Sequence, residues 1–122
     1  MTAPLRVLVI DDNEDVRTVI ELSLKAEGFE VAVAENGRRG AAMLRERGAQ
    51  IVVTDILMPE QDGVETIAQL RAEFPEVKII AISGASSATG FDYLAVPGQL
   101  GARILRKPFE MRELVNLVRE LG

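Results

Sequence analysis

The chain has 122 residues, of which 48% are hydrophobic and 27% are charged, a balance typical of one compact domain. Its 14 Lys and Arg residues are outnumbered by 19 Asp and Glu residues, and the net charge of -5 argues against binding to nucleic acid or anionic lipid. The chain has no His and no Cys, which excludes disulfides, zinc sites of the Cys/His kind and His-dependent nucleophiles. Any chemistry must therefore use carboxylates, hydroxyls, Lys and Arg.

The start of the chain does not have the pattern of a signal peptide, because the short apolar run after Arg6 ends at two acids, Asp11 and Asp12. No apolar run approaches the roughly 18 residues that are needed to cross a bilayer. We therefore expect a cytoplasmic protein that does not insert into membranes.

Short apolar runs alternate with longer stretches of helical period. In chain order, the pattern predicts strand 5–10, helix 14–27, strand Glu30–Ala34, helix 38–47, strand 51–54, helix 64–74, strand Lys78–Ser83, strand 103–105 and helix 110–121. The first strand is almost continuously apolar, as is typical of an interior parallel strand. Either Asp12 or Asn13 can cap the first helix, which Gly28 ends. The predicted inward-facing stripe of that helix is Val16, Val19, Ile20 and Leu24.

The pattern is weakest in the segment 84–100, between the fourth and fifth strands. Its first part, residues 84–90, consists of small residues that favour a loop. Residues 91–95 include three apolar side chains that share one helical face, but Pro97 and Gly98 would break or kink a helix there. We therefore predict a short, irregular helix in this segment.

Five strands alternating with five helices predict an α/β fold, a three-layer sandwich around a parallel sheet. We expect a single domain that covers residues 1–122, without an output domain. In such a sheet, the carboxyl ends of all strands lie at one edge, where ligands bind. The residues that follow the strands are therefore the candidates for chemistry.

Polar residues occupy these positions. Asp11 and Asp12 follow the first strand, and Asp55 follows the third. Ser83 ends the fourth strand and Lys107 follows the fifth. An Asp pair of this kind is by itself more often a helix-capping turn, a role that is compatible with metal binding. Three carboxylates at one edge repel one another unless a cation lies among them, so the cluster predicts a hard divalent ion, Mg²⁺.

With the ion bound, one Asp can act as a nucleophile toward phosphorus, while a Lys ammonium and a Ser hydroxyl contact the phosphoryl oxygens. The motifs at these positions are Asp11-Asp12-Asn13, Asp55-Ile56-Leu57-Met58-Pro59 with Asp62-Gly63, Ser83-Gly84 and Lys107-Pro108-Phe109. In order and spacing they resemble the receiver domain of bacterial two-component response regulators, of the single-domain chemotaxis type, over essentially the whole chain. The resemblance implies a flavodoxin-like, doubly wound sheet of five parallel strands in the order 2-1-3-4-5.

The resemblance also implies a role for each candidate residue. Asp55 would be the phosphoacceptor. Asp12 and Asp55 would bind Mg²⁺ directly, Asp11 would bind it through water, and the carbonyl of Leu57 would complete the protein ligands.

The remaining two candidates, Ser83 and Lys107, would contact the transferred phosphoryl group. The implied function is a phosphoacceptor switch that receives this group from a histidine kinase or a histidine phosphotransfer protein. Because the chain has no His, the donor must be another protein. The chain would catalyse only its own phosphorylation and dephosphorylation, and it would act by changing how it binds a downstream protein target.

Three positions depart from the family pattern. Ile104, three residues before Lys107, stands where the family usually has a Tyr or Phe that couples to strand four. We therefore predict that activation acts mainly through the segment 84–100. Leu57 and Ala85 occupy positions that shape the path of the attacking water in the family, and neither side chain can hold a water by a hydrogen bond. We predict an intermediate rate of phosphoryl hydrolysis.

Alternatives stay open at this point. The chain is a stand-alone regulator, as its start at Met1 and its end at the fifth helix suggest, or the receiver fragment of a longer regulator. A metal-dependent phosphatase with an Asp nucleophile would use similar residues, but that class usually has D-x-D-x-[TV] after its first strand, where this chain has Asp11-Asp12-Asn13. The sequence leaves the partner kinase, the target and homodimer formation open, and we expect no direct binding to nucleic acid.

Overall fold

The computed structural model describes residues 4–55, 63–83, 101–106 and 109–122. Five strands lie in these ranges: β1 (Arg6–Ile10), β2 (Glu30–Ala34), β3 (Ile51–Asp55), β4 (Lys78–Ser83) and β5 (Arg103–Arg106). The helices are α1 (Glu14–Ala26), α2 (Gly37–Arg47), α3 (Gly63–Glu73) and α4 (Met111–Leu121). The irregular helix predicted after residue 90 falls outside the described residues, and α4 is the helix predicted at 110–121.

All five strands are parallel, and their order in the sheet is β2-β1-β3-β4-β5. The doubly wound fold and its strand order are therefore confirmed. Ile10 is in register with Thr54, and Ser83 is in register with Arg106. This register aligns the carboxyl ends of the strands. Asp11 follows Ile10 and Asp55 follows Thr54, so the two acids lie at the ends of adjacent strands.

Helices cover both faces of the sheet because alternate residues of each buried strand point to opposite sides. On one face, Leu8 and Ile10 pack in a core with residues of α2 and α3. On the other face, Val7 and Val9 pack in a second core with residues of α1 and α4. The two cores form the predicted three-layer sandwich.

Helix α2 packs closely against β1 near the carboxyl edge. A Cβ atom placed on Gly40 would collide with the side chain of Ile10, so a larger residue there would require that side chain to move. At the other end of α2, Gly48 takes a φ of 72° and its amide donates to the carbonyl of Leu44, which ends the helix as predicted.

Most of the predicted elements differ from the structure by one residue at one or both ends, and two differences concern a candidate site residue and the buried face of α1. Asp55 is the last residue of β3 and pairs in register with Ile82, whereas the prediction ended that strand one residue earlier. Val19 was predicted to face the core, but 53% of its surface is exposed. Each residue of a helix is rotated by about 100° from the last, so Val19 lies beside the stripe that runs through Ile20 and Leu24.

The longest helix in the described ranges, α1, has 13 residues, and none of these helices has the length and apolar character that crossing a bilayer requires.

Candidate functional site

Three carboxylates meet at the carboxyl edge of the sheet. One carboxylate oxygen from each of Asp11, Asp12 and Asp55 lies within 4.8 Å of the other two. Asp11 is 1% exposed and Asp55 is 8% exposed, whereas Asp12 faces solvent. The cluster that the sequence predicted is therefore present, with two of its acids buried and one open to the outside.

The turn after β1 positions Asp11. Its amide donates to the carbonyl of Ala34 at 3.1 Å, which extends the β1–β2 pairing by one residue. Its carboxylate accepts a hydrogen bond from the amide of Asn13 at 2.9 Å, a local turn that Asp side chains favour. Asn13 in turn caps α1, because its side-chain oxygen accepts from the amide of Val16 at 3.0 Å. The turn thus caps the helix and holds an acid of the cluster at the same time.

Strand β3 positions Asp55. All five residues of this strand are buried, and its neighbours β1 and β4 are paired to it on both sides. The hydroxyl of Thr54 donates to the backbone carbonyl of Asp55 at 3.2 Å. Because the strand is central and held on both sides, the backbone that carries Asp55 is fixed relative to Asp11.

Sequence reasoning missed one residue at this edge, Arg17. Its Nη1 donates a hydrogen bond to the backbone carbonyl of Asp11 at 2.8 Å, and its side chain is half-buried. The sequence did hold one signal for this contact. Arg17 lies four residues after the capping Asn13, so it is on the same helix face, next to the turn that contains Asp11. A pattern of apolar residues does not reveal a contact made by a long charged side chain.

The donor set of the cluster fits a hard divalent cation. Three carboxylates so close together repel one another, and a cation among them would relieve that repulsion. Oxygen ligands of this kind suit Mg²⁺ or Ca²⁺, and Mg²⁺ is usually bound by a few carboxylates with waters completing its shell. Asp12 is exposed, so water molecules that complete the shell of such an ion have access to this carboxylate.

Of the other predicted site residues, the structure describes Ser83. It is the last residue of β4, at the same edge of the sheet as the acids. Leu57 and Lys107 lie outside the described residues, as does Ala85. Ile104, at the position where an aromatic residue was expected from the family pattern, is half-buried and packs against the core formed with α2 and α3.

The chain is similar to known proteins of one family. A family model described as "Response regulator receiver domain" matches residues 7–119. The chain is 31% identical over 116 residues to the response regulator receiver protein CpdR of Brucella abortus, and the match covers 95% of each chain. It is 38% identical over 122 residues to the transcriptional regulatory protein PrrA of Mycobacterium tuberculosis, with 99% of this chain and 51% of that protein covered.

A solved structure shows the same fold. The chemotaxis protein CheY4 of Vibrio cholerae superposes with a TM-score of 0.87, and the match covers 98% of this chain and 100% of that one. The two sequences are 24% identical, so this likeness concerns the fold. The chain spans about half the length of transcriptional regulators such as PrrA but nearly the whole of CpdR.

Proposed function

The chain belongs to the response regulator receiver family, and we propose that it is a phosphoacceptor switch in which Asp55 receives a phosphoryl group from a phosphohistidine of another protein. Receiver domains are signalling switches of two-component systems and not classical enzymes. The observation that carries the proposal is the acidic cluster, in which a carboxylate oxygen of Asp55 lies within 4.8 Å of those of Asp11 and Asp12.

Asp55 is the cluster member best suited to be the nucleophile. It is fixed on a central strand and is 8% exposed, so it is held firmly while keeping some access to solvent. In the transfer, a bond forms between a carboxylate oxygen of Asp55 and phosphorus while the bond from phosphorus to the donor's imidazole nitrogen breaks. The nitrogen keeps the electron pair and is then protonated by solvent. We propose a histidine kinase or a histidine phosphotransfer protein as the donor, because these 122 residues contain no His that could carry the phosphoryl group.

We assign the cation site to Asp11, Asp12 and Asp55, with the carbonyl of Leu57 as a further ligand. Bound Mg²⁺ would supply positive charge that offsets both the carboxylates and the phosphoryl oxygens. The closeness of the three carboxylates supports this assignment. We expect the exposed Asp12 to be the carboxylate that an arriving ion reaches first.

We propose that Ser83 and Lys107 contact the phosphoryl group. Ser83 ends β4 beside β3, which carries Asp55, so its backbone lies at the correct edge of the sheet. A hydroxyl there would donate to a phosphoryl oxygen, and the ammonium of Lys107 would offset negative charge on the same group.

We further propose that the phosphorylated chain acts by binding a downstream protein in the cytoplasm, with no direct contact to nucleic acid. The match to nearly all of CpdR is compatible with a stand-alone receiver domain that covers residues 1–122. The match to half of PrrA is compatible with a receiver that is joined to an output domain. Sequencing the gene on both sides of this segment separates these two arrangements.

The test is incubation of the protein with Mg²⁺ and acetyl phosphate, followed by intact mass spectrometry. We expect the wild type to gain the mass of one phosphoryl group, and we expect Asp55→Asn to gain none. Asp15→Asn is the matched control, since Asp15 is an exposed acid in the first turn of α1 outside the cluster, and we expect it to be labelled like the wild type. An unlabelled wild type, or equal labelling of Asp55→Asn, would overturn the proposal.

A parallel assay addresses the phosphatase alternative. The protein is incubated with Mg²⁺ and p-nitrophenyl phosphate, a phosphomonoester whose hydrolysis is visible by absorbance. We expect no turnover beyond the single equivalent that labels the protein, and repeated turnover that requires Asp55 would favour a phosphatase.

A further inference from the structure

Among the described residues, hydrogen bonds reach the amide, the carboxylate and the carbonyl of Asp11. Its amide donates to the carbonyl of Ala34, and its carboxylate accepts from the amide of Asn13. Its backbone carbonyl accepts from the guanidinium of Arg17 at 2.8 Å. The first two bonds come from strand pairing and from a local turn. The third depends on a single side chain, which reaches back from α1 across the turn.

The carbonyl that Arg17 holds belongs to the peptide bond between Asp11 and Asp12. A peptide unit is planar, so fixing its carbonyl fixes the direction in which the chain leaves toward the next residue. Asp12 is exposed, and no hydrogen bond from another described residue holds its carboxylate. The direction of the Asp12 side chain toward the cluster is therefore set by the backbone of this turn.

The guanidinium of Arg17 is not paired with an acid of the cluster among the described residues. An arginine close to carboxylates commonly forms a bidentate ion pair with one of them, which would occupy the oxygens that a cation needs. Among the described residues, no ion pair joins Arg17 to an acid of the cluster. Its guanidinium binds a carbonyl instead, and the carboxylate oxygens of Asp11, Asp12 and Asp55 still converge.

From this geometry we propose that Arg17 is a positioning residue for cation binding. It holds the Asp11–Asp12 peptide so that the carboxylate of Asp12 faces the other two acids. The proposal rests on the proposed function, because it concerns the same cation site. A positioning role and a purely electrostatic role of Arg17 predict opposite changes in Mg²⁺ affinity when Arg17 is replaced. Removing a positive charge near a cation site would by itself strengthen cation binding, whereas releasing the Asp12 carboxylate weakens it.

The test is a titration with Mg²⁺ alone, followed through the amide NMR signals of residues 11–13. Arg17→Ala should weaken Mg²⁺ binding by about tenfold, the order expected when one hydrogen bond of a charged group is lost. Arg17→Lys should recover part of the affinity, because an ammonium on a flexible chain can still donate to the carbonyl of Asp11. Unchanged or tighter binding in Arg17→Ala would overturn the proposal.

The matched control is Arg6→Ala. Arg6 also donates from its Nη1 to a backbone carbonyl at 2.8 Å, that of Arg47, but it lies at the opposite edge of the sheet. We expect this variant to bind Mg²⁺ like the wild type. Thermal unfolding without Mg²⁺ is recorded for each variant, so that a loss of stability is separated from a loss of affinity. If Arg17→Ala does not fold, Arg17→Lys decides, and full wild-type affinity together with unchanged signals from the turn would contradict the proposal.

The experiment also separates this proposal from the proposed function. A wild-type protein that binds no Mg²⁺ and gains no phosphoryl group overturns both. A wild-type protein that does both, while Arg17→Ala keeps its Mg²⁺ affinity, overturns only the role of Arg17.

Discussion

Charged side chains are arranged differently at the two edges of the sheet, the amino edge where the strands begin and the carboxyl edge where they end. At the amino edge, opposite charges are paired and exposed, and the ion pairs there join different elements. They are Arg6–Glu30, Arg45–Glu73, Arg103–Glu120 and Arg119–Glu27. At the carboxyl edge, three charges of the same sign converge, and Asp11 and Asp55 among them are buried.

This difference is the one that the proposed function predicts, because it makes the amino edge structural and the carboxyl edge functional. Exposed ion pairs contribute little to stability individually, and losing one has a small cost. Buried carboxylates of like charge raise the free energy of the folded protein, so packing alone does not account for gathering them. The carboxyl edge is explained if a cation and a phosphoryl group use it. The comparison therefore predicts that substitutions at the two edges have effects of opposite sign.

The largest expected effect comes from removing one charge of the cluster. Asp12→Asn keeps the size of the side chain and removes its repulsion with Asp11 and Asp55. In urea unfolding without Mg²⁺, we expect the free energy of unfolding to rise by about 1 kcal/mol. Adding Mg²⁺ at about 100 times its dissociation constant should stabilise the wild type by about 2.7 kcal/mol and should stabilise the variant far less.

Asp15→Asn serves as the control for this prediction. Asp15 lies in the first turn of α1, where a carboxylate is favourable to the helix, so neutralising it should slightly lower stability and leave the response to Mg²⁺ intact. If Asp12→Asn also lowered the free energy of unfolding without Mg²⁺, the prediction that substitutions at the two edges have effects of opposite sign would be wrong.

A smaller gain is expected from Thr66, a residue of α3 that is 1% exposed. Its hydroxyl has no hydrogen-bond partner among the described residues, so burying it costs free energy. Thr66→Val should raise the free energy of unfolding by about 1 kcal/mol or less, measured by chemical denaturation. Thr18→Val, which changes an exposed hydroxyl on α1, should give no such gain. A clear loss of stability in Thr66→Val would mean that the hydroxyl is hydrogen-bonded.

The smallest effect is expected at the amino edge, where Arg45 contacts Glu73. The hydrogen bond from Arg45 lowers the pKa of the Glu73 carboxyl below its ordinary value of 4.5. The pair therefore stabilises the folded protein above that value, and its contribution disappears as the pH falls through the lowered pKa. Both groups are exposed, so Arg45→Ala should cost little at neutral pH and less in high salt.

Unfolding curves at neutral and acidic pH check this expectation. The difference between the wild type and Arg45→Ala should vanish on acidification, whereas Arg38→Ala, which changes an exposed arginine at the other end of α2, should show no such change. A difference that grows on acidification would contradict the assigned role of the pair.

Much of this fold could be predicted from the sequence because its signals are local. Apolar runs marked the strands, and Asn13 and Gly48 marked helix ends that the structure confirms. The convergence of Asp11, Asp12 and Asp55 followed from one geometric rule, that parallel strands place their carboxyl ends at one edge.

What the sequence could not supply depends on packing between elements. Val19 belongs to the apolar pattern of α1, but more than half of its surface is exposed. The contact of Gly40 with Ile10 depends on how closely α2 approaches β1, which no local pattern reports. Arg17 reaches the carbonyl of Asp11 through a long side chain whose direction the pattern does not fix. The roles of Leu57, Ser83 and Lys107 stay predictions.

The central claim is that the acidic cluster directs a phosphoryl group to Asp55. The most direct measurement is to label the protein with acetyl phosphate and Mg²⁺, reduce the acyl phosphate with borohydride, and locate the modified residue by peptide mass spectrometry. The account predicts conversion of Asp55 to homoserine in the wild type, and none when Mg²⁺ is removed by a chelator. Modification at another carboxylate, or labelling of Asp55 that does not depend on the metal, would contradict it.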